Sequence, residues 1–429
     1  MYVTVKGRDG QPLRRRRVLE EYGVAADRCN PEARELADCV DGKINEVVLR
    51  LKKRDYRRAE GKFDELKLAV ETLSSGANTV LLDDRGMPSI MVALPAQRLC
   101  DLYGGEITSY HPAWVLDGRV KEVIYLSKYM NCVADGRAYS LPLRDPHTFF
   151  NFEDANLFCQ NKGQGWHLMT NALWAAIAAW CRKNNTRPRG NTGMGYSHLA
   201  PHEKGLPTAM AGSREVIRTA SGSGPASWNH DHTPGGIADL VGNMFEWVGG
   251  LRLMDGEIQI IPQGMAMRYG RDAYAKDSRR WRGITAEGDF AAHGEKNTLK
   301  IDSLALGDSD ERDHLLGAPF LSTRIQNRSY LGPYPDGNQG YLDCFFSELK
   351  AEEGLEVPLL LKILGIFPDE ACTREDGIFV ARNYGERIAV RGGKGGSFER
   401  GGISALHFYN PRSYDGSATV GFRCAYVSP

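Results

Sequence analysis

The C-terminal stretch Arg391–Pro429 constrains the chain most, because it sets a varied group of side chains in a rigid glycine frame. The frame is Arg391-Gly392-Gly393, Gly395-Gly396, Pro411-Arg412-Ser413 and Gly421-Phe422-Arg423-Cys424. Glycine permits backbone angles that other residues resist, so Gly pairs between short apolar runs mark tight turns or bulges. Within the frame, Leu406-His407-Phe408-Tyr409 alternates: Leu406 and Phe408 belong to one face of a strand, His407 and Tyr409 to the other. The run Tyr414–Thr419 is polar and turn-like. A recognition surface gathers His, Tyr, Glu and Arg in this way, since Tyr and Arg combine large contact area with versatile hydrogen bonding. An exposed C-terminal hairpin with ordinary surface residues fits the same text.

Composition narrows the classes. The chain has 429 residues, enough for two or three domains, and 42% are hydrophobic, enough for a sizeable core. Lys+Arg and Asp+Glu balance at 54 each, so nothing electrostatic argues for nucleic acid or an anionic membrane surface. The 48 glycines favour a loop-rich fold over a helical bundle. The nine cysteines are scattered without a C-x-x-C pair, so neither a zinc site nor a thioredoxin-type site is signalled. Their odd number points to free thiols and a reducing cytoplasm. The start of the sequence carries no apolar signal-peptide core. The most apolar window, Val357–Phe367, is too short to span a bilayer and contains Lys362, so no membrane insertion is expected.

Taken in order, residues 1–30 are basic, with Arg14–Arg17 read as a solvated arm. Val40, Ile44, Val47 and Leu51, then Phe63, Leu66, Val70 and Leu73, recur at helical spacing and predict a helical hairpin or an oligomerising stalk. Thr79–Leu82 and Ser89–Leu94 read as strands joined by a turn at Asp83–Gly86. All seven Trp lie between 114 and 281, which marks one large core not shared by residues 1–100. The expected division is therefore an N-terminal extension, 1–104, concerned with assembly or attachment, and a main domain, 105–429. In that domain Ile124–Tyr129 reads as a strand, and Asn151–Cys159 and Asn171–Lys183 as helices, with Asn171 as cap of the second. Leu251–Pro262 reads as a hairpin turning at Asp255-Gly256, and 286–350 as a charged, loop-like insertion. Leu355–Phe367 reads as a buried helix, and Ile378–Ala381 and Arg387–Val390 as strands.

Three segments carry a family resemblance. Gly165-Trp166-His167-Leu168-Met169-Thr170-Asn171-Ala172-Leu173-Trp174 resembles R-L-P-T-E-A-E-W-E. Gly236–Trp247, with Gly242-Asn243-Met244-Phe245-Glu246-Trp247 at its end, resembles D-M-x-G-N-V-W-E-W. Arg391-Gly392-Gly393 through Gly421-Phe422-Arg423-Cys424-Ala425 resembles R-G-G-S-W…G-F-R-C-A. Together they resemble the formylglycine-generating enzyme and sulfatase-modifying family over residues 110–429. The resemblance implies an α+β, C-type-lectin-like domain. It covers both enzymes and non-enzymes. The copper oxidases of that family use two thiolates just before G-F-R-C-A, as soft Cu(I) requires, and Gly392–Phe422 here contains no Cys. An iron branch uses a His-rich helix. The nearest pairs, His198/His202 and His230/His232, sit beside Pro201 or in a loop, so no metal and no other cofactor is expected. Asp239 and Glu246 belong to the fold motif and are expected to satisfy buried groups.

The non-enzymatic branch, the variable proteins of diversity-generating retroelements, is matched more closely by Ala405-Leu406-His407-Phe408-Tyr409-Asn410-Pro411-Arg412-Ser413. Diversification in such systems acts at template adenines, usually in AAY codons. His407, Tyr409, Tyr414, Asp415, Gly416, Ser417, Ala418 and Thr419 are reachable from AAY, while Glu399 and Lys394 are not. The resemblance implies a non-catalytic protein displaying a diversifiable surface to a protein or glycan ligand on a cell surface. A phage tail fits a chain without a signal peptide, and a bacterial cell surface is the other location. A homo-oligomer is compatible with the N-terminal helices. The expected ligand-binding set is Glu399, Arg400, Ser404, His407, Tyr409, Tyr414, Asp415, Ser417 and Thr419, exposed on one patch above buried Leu406, Phe408 and Phe422. A cofactor-dependent oxidase and a structural virion protein are the alternatives.

Overall fold

The computed structural model describes residues 31–57, 63–212, 215–262, 271–303, 317–324, 341–373, 376–381 and 385–429, together with Gly264, Met265, Met267 and Leu315. The basic run Arg14–Arg17 lies outside the described residues. The first helices follow the apolar spacing. Helix α1 (Pro31–Lys53) buries Ile44, Val47, Val48 and Leu51, and α2 (Asp64–Leu73) buries Leu66 and Val70. They cover strands β1 (Asn78–Leu82) and β2 (Pro88–Pro95). Between these strands the buried Asp83 forms the turn: its Oδ1 accepts from Arg85 N at 3.0 Å and Met87 N at 2.8 Å.

The boundary expected at residue 104 does not exist. Strand β2 pairs with β3 (Val123–Ser127) from Met91↔Ser127 to Pro95↔Val123. Helix α3 (Phe152–Gln160) and strand β4 (Trp166–Leu168) follow, then helix α4 (Asn171–Lys183). The first sheet runs β1-β2-β3, then the C-terminal strand Cys424–Tyr426, then β4. The tryptophan-based division failed because β1 and β2 contribute Val, Ile, Met and Leu to the shared core. Val92 and Leu102 belong to the same cluster as Trp114 and Trp174, and Trp114 Nε1 donates to Leu94 O at 3.1 Å.

The second sheet has twelve strands among the described residues. Strands β5 (Phe245–Met254) and β6 (Glu257–Ile260) form the hairpin turning at Asp255-Gly256. Next come β7 (Tyr341–Phe345), β8 (Gly377–Ala381), β9 (Glu386–Arg391), β10 (Leu406–Phe408) and β11 (Val420–Phe422). The sheet order is β7-β8-β10-β9-β5-β6, continuing through Lys300–Ser303 and Pro319–Ser322, with β11 parallel to β5. The fold is thus α+β, with large sheets and few helices. The segment 286–350 is no plain loop: Lys300–Ser303, Pro319–Ser322 and β7 are sheet strands, because Ile301, Leu321 and Leu342 are buried between its charged residues. The helix expected over Leu355–Phe367 covers only Leu359–Ile363, bounded by Pro358 and by Gly365 at a φ of 59°.

Two buried arginines tie the motifs together. Arg423 is fully buried, with Nε 2.9 and 3.0 Å from the Glu246 carboxylate. Its other nitrogens donate to Lys128 O at 2.9 Å and Ala238 O at 2.5 Å. Burial pushes the Glu246 carboxyl up to about 7 against the pull of Arg423. Asp239 accepts from Gly222 N at 2.6 Å and Ser221 Oγ at 3.2 Å, which satisfies buried donors as its motif implied. Arg391 donates to Asn171 Oδ1 at 2.7 and 3.0 Å and to Gly365 O at 2.8 Å. Asn171 is therefore not the cap of α4. Its amide is engaged by Arg391 and Leu364 O, and Thr170 Oγ1 takes the cap position, accepting from Leu173 N at 3.2 Å. Gly392 is required where it stands: φ is 88°, and a Cβ there would lie 2.5 Å from Leu240 O.

Three buried histidines give the fold an acid limit. His111, His167 and His230 are each held neutral, burial lowering each from 6.5 to about 4. The unfolded chain binds these protons below its ordinary pKa and the folded chain does not, so stability falls as the pH drops from 6.5 toward 4. Burial lowers His147 and His407 in the same sense, while Glu246 and Asp239, raised by burial, work the other way. Urea midpoints at about pH 7 and about pH 5.5 are expected to differ by a net loss on the order of 1–2 kcal/mol in acid. An unchanged midpoint would remove the neutral-histidine account.

Candidate functional site

Strand β10 carries the alternation that the sequence implies. Leu406 and Phe408 are fully buried, as is Phe422, and Tyr409 is 38% exposed on the other face with His407 half-buried. Strand β10 lies between β8 and β9, with Phe379 and Val390 both opposite His407. A row of rings results. His407 stacks on Phe379 with centroids 5.7 Å apart and planes at 21°, and Phe379 stacks on Tyr341 at 4.8 Å and 20°. Phe245 of β5 closes on the other side of His407 at 4.6 Å. Tyr409 meets Phe379 edge-on at 5.5 Å.

The rings decide the chemistry of His407. Burial among them, with Arg400 and Lys394 adding repulsion, lowers it to about 3. Its Nε2 has no hydrogen-bond partner among the described residues. The imidazole is a neutral, flat aromatic at physiological pH and a poor base.

The row gathers several of the expected residues. Phe245 N donates to Thr419 O at 3.0 Å, and Thr419 N donates to Ser417 Oγ at 3.0 Å, so Thr419 and Ser417 border the row. Arg400 sits at its other border, donating to Asp343 Oδ1 at 2.7 Å, with its guanidinium 4.4 Å above the Phe345 ring. Glu399 is exposed beside it. Tyr414 and Asp415 are exposed on the 413–416 turn, and Tyr414 makes no ring contact with the row among the described residues. Ser404 corrects the expected patch. It is buried at 5% exposure, because its Oγ accepts from Arg182 at 3.0 Å and its N–H donates to Asp376 at 2.7 Å. Arg400, His407, Ser417 and Thr419 are half-buried, not fully exposed, since the row and its ion pair cover them.

Phe245, Phe379, Tyr341 and Asp343 were missed in the sequence. Their signal was present for the last three: Tyr341-Leu342-Asp343-Cys344-Phe345 and Ile378-Phe379-Val380 both alternate. Among the histidines first weighed as metal ligands, His230 accepts from Ile237 N at 2.9 Å and packs on Trp180 at 5.3 Å, while His198 Nδ1 lies 2.7 Å from Thr192 Oγ1. Among the described residues, no group of three or more His, Cys, Asp or Glu side chains is placed to hold a metal ion. No described helix is long and apolar enough to cross a membrane.

The two faces of β10 should respond differently to mutation. Phe408→Ala is expected to destabilise the protein by roughly 3–5 kcal/mol, and Tyr409→Ala by about 1 kcal/mol or less, as for a side chain on the exposed face. Chemical denaturation of the two variants checks this. Equal losses would mean that Tyr409 belongs to the core.

No protein-family model matches the sequence, and comparison with curated proteins finds no match. Among solved structures, the chain is similar to one described as "Structure of PvdO from Pseudomonas aeruginosa", at 12% identity over 82% of this chain and 98% of that one. The TM-score is 0.29, too low to support an argument about fold or function.

Proposed function

We propose that this chain is a non-catalytic binding protein that presents the aromatic row and its polar borders to a ligand on a cell surface, as a variable protein of a diversity-generating retroelement with a C-type-lectin-like scaffold. One observation carries the reading: His407 and Tyr409 stand on the outer face of a strand whose inner face is fully buried, ringed by aromatic neighbours from three other strands. Aromatic rings framed by Arg, Ser, Thr and acidic groups have the composition of a binding hot spot with a polar rim. Support for the rings by neighbouring strands lowers the entropy lost on binding. The buried Leu406 and Phe408 anchor the strand, so changes at 407, 409 and 414–419 alter the surface without disturbing the core. The depressed His407 argues against a general base there.

The gene's surroundings test this reading. A near-identical repeat of the Arg391–Pro429 coding segment beside a reverse transcriptase gene is expected, with differences confined to template adenines. A locus lacking both would refute the retroelement assignment.

A further inference from the structure

A cavity of about 230 Å³ opens beside the first turn of α4. The chain makes it by leaving side chains out. The pairing of β5 with β9 slips between Trp247 and Arg252, and Gly249 and Gly250 stand in that break and line the cavity. Gly249 has no room for a larger residue, since a Cβ there would lie 2.0 Å from Tyr274 Oη. Its N–H donates to Met169 O at 2.9 Å and its backbone is bridged to Thr170, which brings β5 against the start of α4.

The walls are apolar and fixed. Ala113, Ile260, Ile261, Met267 and Leu364 are buried around the space. Asn171, also in the wall, accepts from Arg391 Nη2 at 2.7 Å and donates to Leu364 O at 2.9 Å, so this side is set before anything binds. The mouth is apolar as well: Phe290 is 47% exposed, and Tyr110 and Leu360 are half-buried. Apolar side chains left in water around a preformed recess mark a ligand site. Among the described residues, no charged side chain lines it. Its polar handles are few. The Thr170 hydroxyl accepts from Leu173 N at 3.2 Å, which leaves its proton to be donated, and Tyr110 adds a phenol at the mouth.

Volume and lining select the ligand. A cavity of about 150 Å³ lined by Leu, Ile and Phe holds benzene, and by that measure this one takes about nine non-hydrogen atoms. The Met267 thioether and the rings of Tyr110 and Phe290 favour an aromatic guest, and a rigid ring loses less conformational freedom on entry than a flexible chain. An ionised group would be desolvated there without a counter-charge.

We infer that this cavity binds a small uncharged aromatic molecule carrying a single polar group, of the size of indole or 4-methylphenol. None of its lining residues belongs to the aromatic row or to Arg391–Pro429, so this site and the proposed surface can fail independently.

The test uses the full chain and four probes: indole, 4-methylphenol, 1-octanol as a flexible chain and benzoate as a charged ring. Each is titrated by calorimetry and by thermal melting. At least one of the two uncharged rings is expected to bind saturably, one per chain, with a dissociation constant below about 1 mM and a raised melting temperature. Octanol should bind more weakly than that ring, and benzoate more weakly still. Ala172→Phe, which puts a ring into the cavity from α4, should weaken binding about tenfold or more. Leu68→Ala, on the exposed face of α2, should leave it unchanged. If Ala172→Phe melts early by itself, Leu360→Trp at the mouth replaces it. The inference is overturned if neither uncharged ring binds saturably, or if octanol or benzoate binds as tightly as the better ring. Undiminished affinity in the folded cavity-filling variant would overturn it too.

Discussion

A protein cut to begin at Gly105 is expected not to fold. The cut removes β1 and β2, and β2 is the strand to which β3 is paired along its length. It also removes Val80, Ile90, Met91, Val92 and Leu102, all buried. Each such side chain stabilises by roughly 1.5–3 kcal/mol, and together they approach or exceed the roughly 5–15 kcal/mol of a typical domain. Polar groups lose partners too. Lys128 Nζ donates to Asn78 Oδ1 at 2.6 Å, and Arg137 and Tyr139 both reach the Asp83 carboxylate. Without residues 78–95, these buried groups and the open edge of β3 would be left unsatisfied. The truncated chain should be insoluble or lack a cooperative melt. A soluble fragment with a sharp transition would mean that the N-terminal strands are an appendage after all.

Arg423→Ala should be nearly as damaging, at about 3–5 kcal/mol. Removing the guanidinium leaves Glu246 buried without its counter-charge and strips donors from the carbonyls of Lys128 and Ala238. Exchanging the whole pair for apolar residues is a different experiment, since a buried ion pair offsets much of its own desolvation cost. A urea titration of Arg423→Ala, with Glu246→Gln and the double variant Arg423→Met/Glu246→Leu beside it, separates the two effects. The single variants should each lose more stability than the apolar double variant. A mild loss in Arg423→Ala, below about 1 kcal/mol, would show that the pair does not hold the motifs together.

Local pattern made much of this fold legible. The spacing of Ile44, Val47 and Leu51 placed α1, the bounds of α4 were read correctly, and Asp255-Gly256 marked its hairpin. The alternation of Leu406–Tyr409 separated core from surface correctly. What failed was non-local. Whether β2 joins the main sheet depends on its pairing with β3, which no window of sequence reports. The same holds for the ring row: Phe245 and Phe379 become neighbours of His407 only because β5 and β8 are brought to it by the sheet. Ser404 looked like a surface serine until Arg182, from a helix more than two hundred residues earlier, is seen to cover it. Asn171 lost the cap to its neighbour because a distant arginine claims its amide.

The most direct test of the account is binding by the C-terminal face. Labelled full-length protein is titrated onto a panel of bacterial cells and purified surface glycans, alongside Tyr409→Ala and a Tyr409→Phe control. The account predicts saturable binding to some member of the panel. Tyr409→Ala should weaken it by about tenfold or more, as for an anchor residue worth on the order of 1–2 kcal/mol, while its melting temperature stays close to that of the wild type. Binding that is equally tight in a folded Tyr409→Ala variant would contradict it.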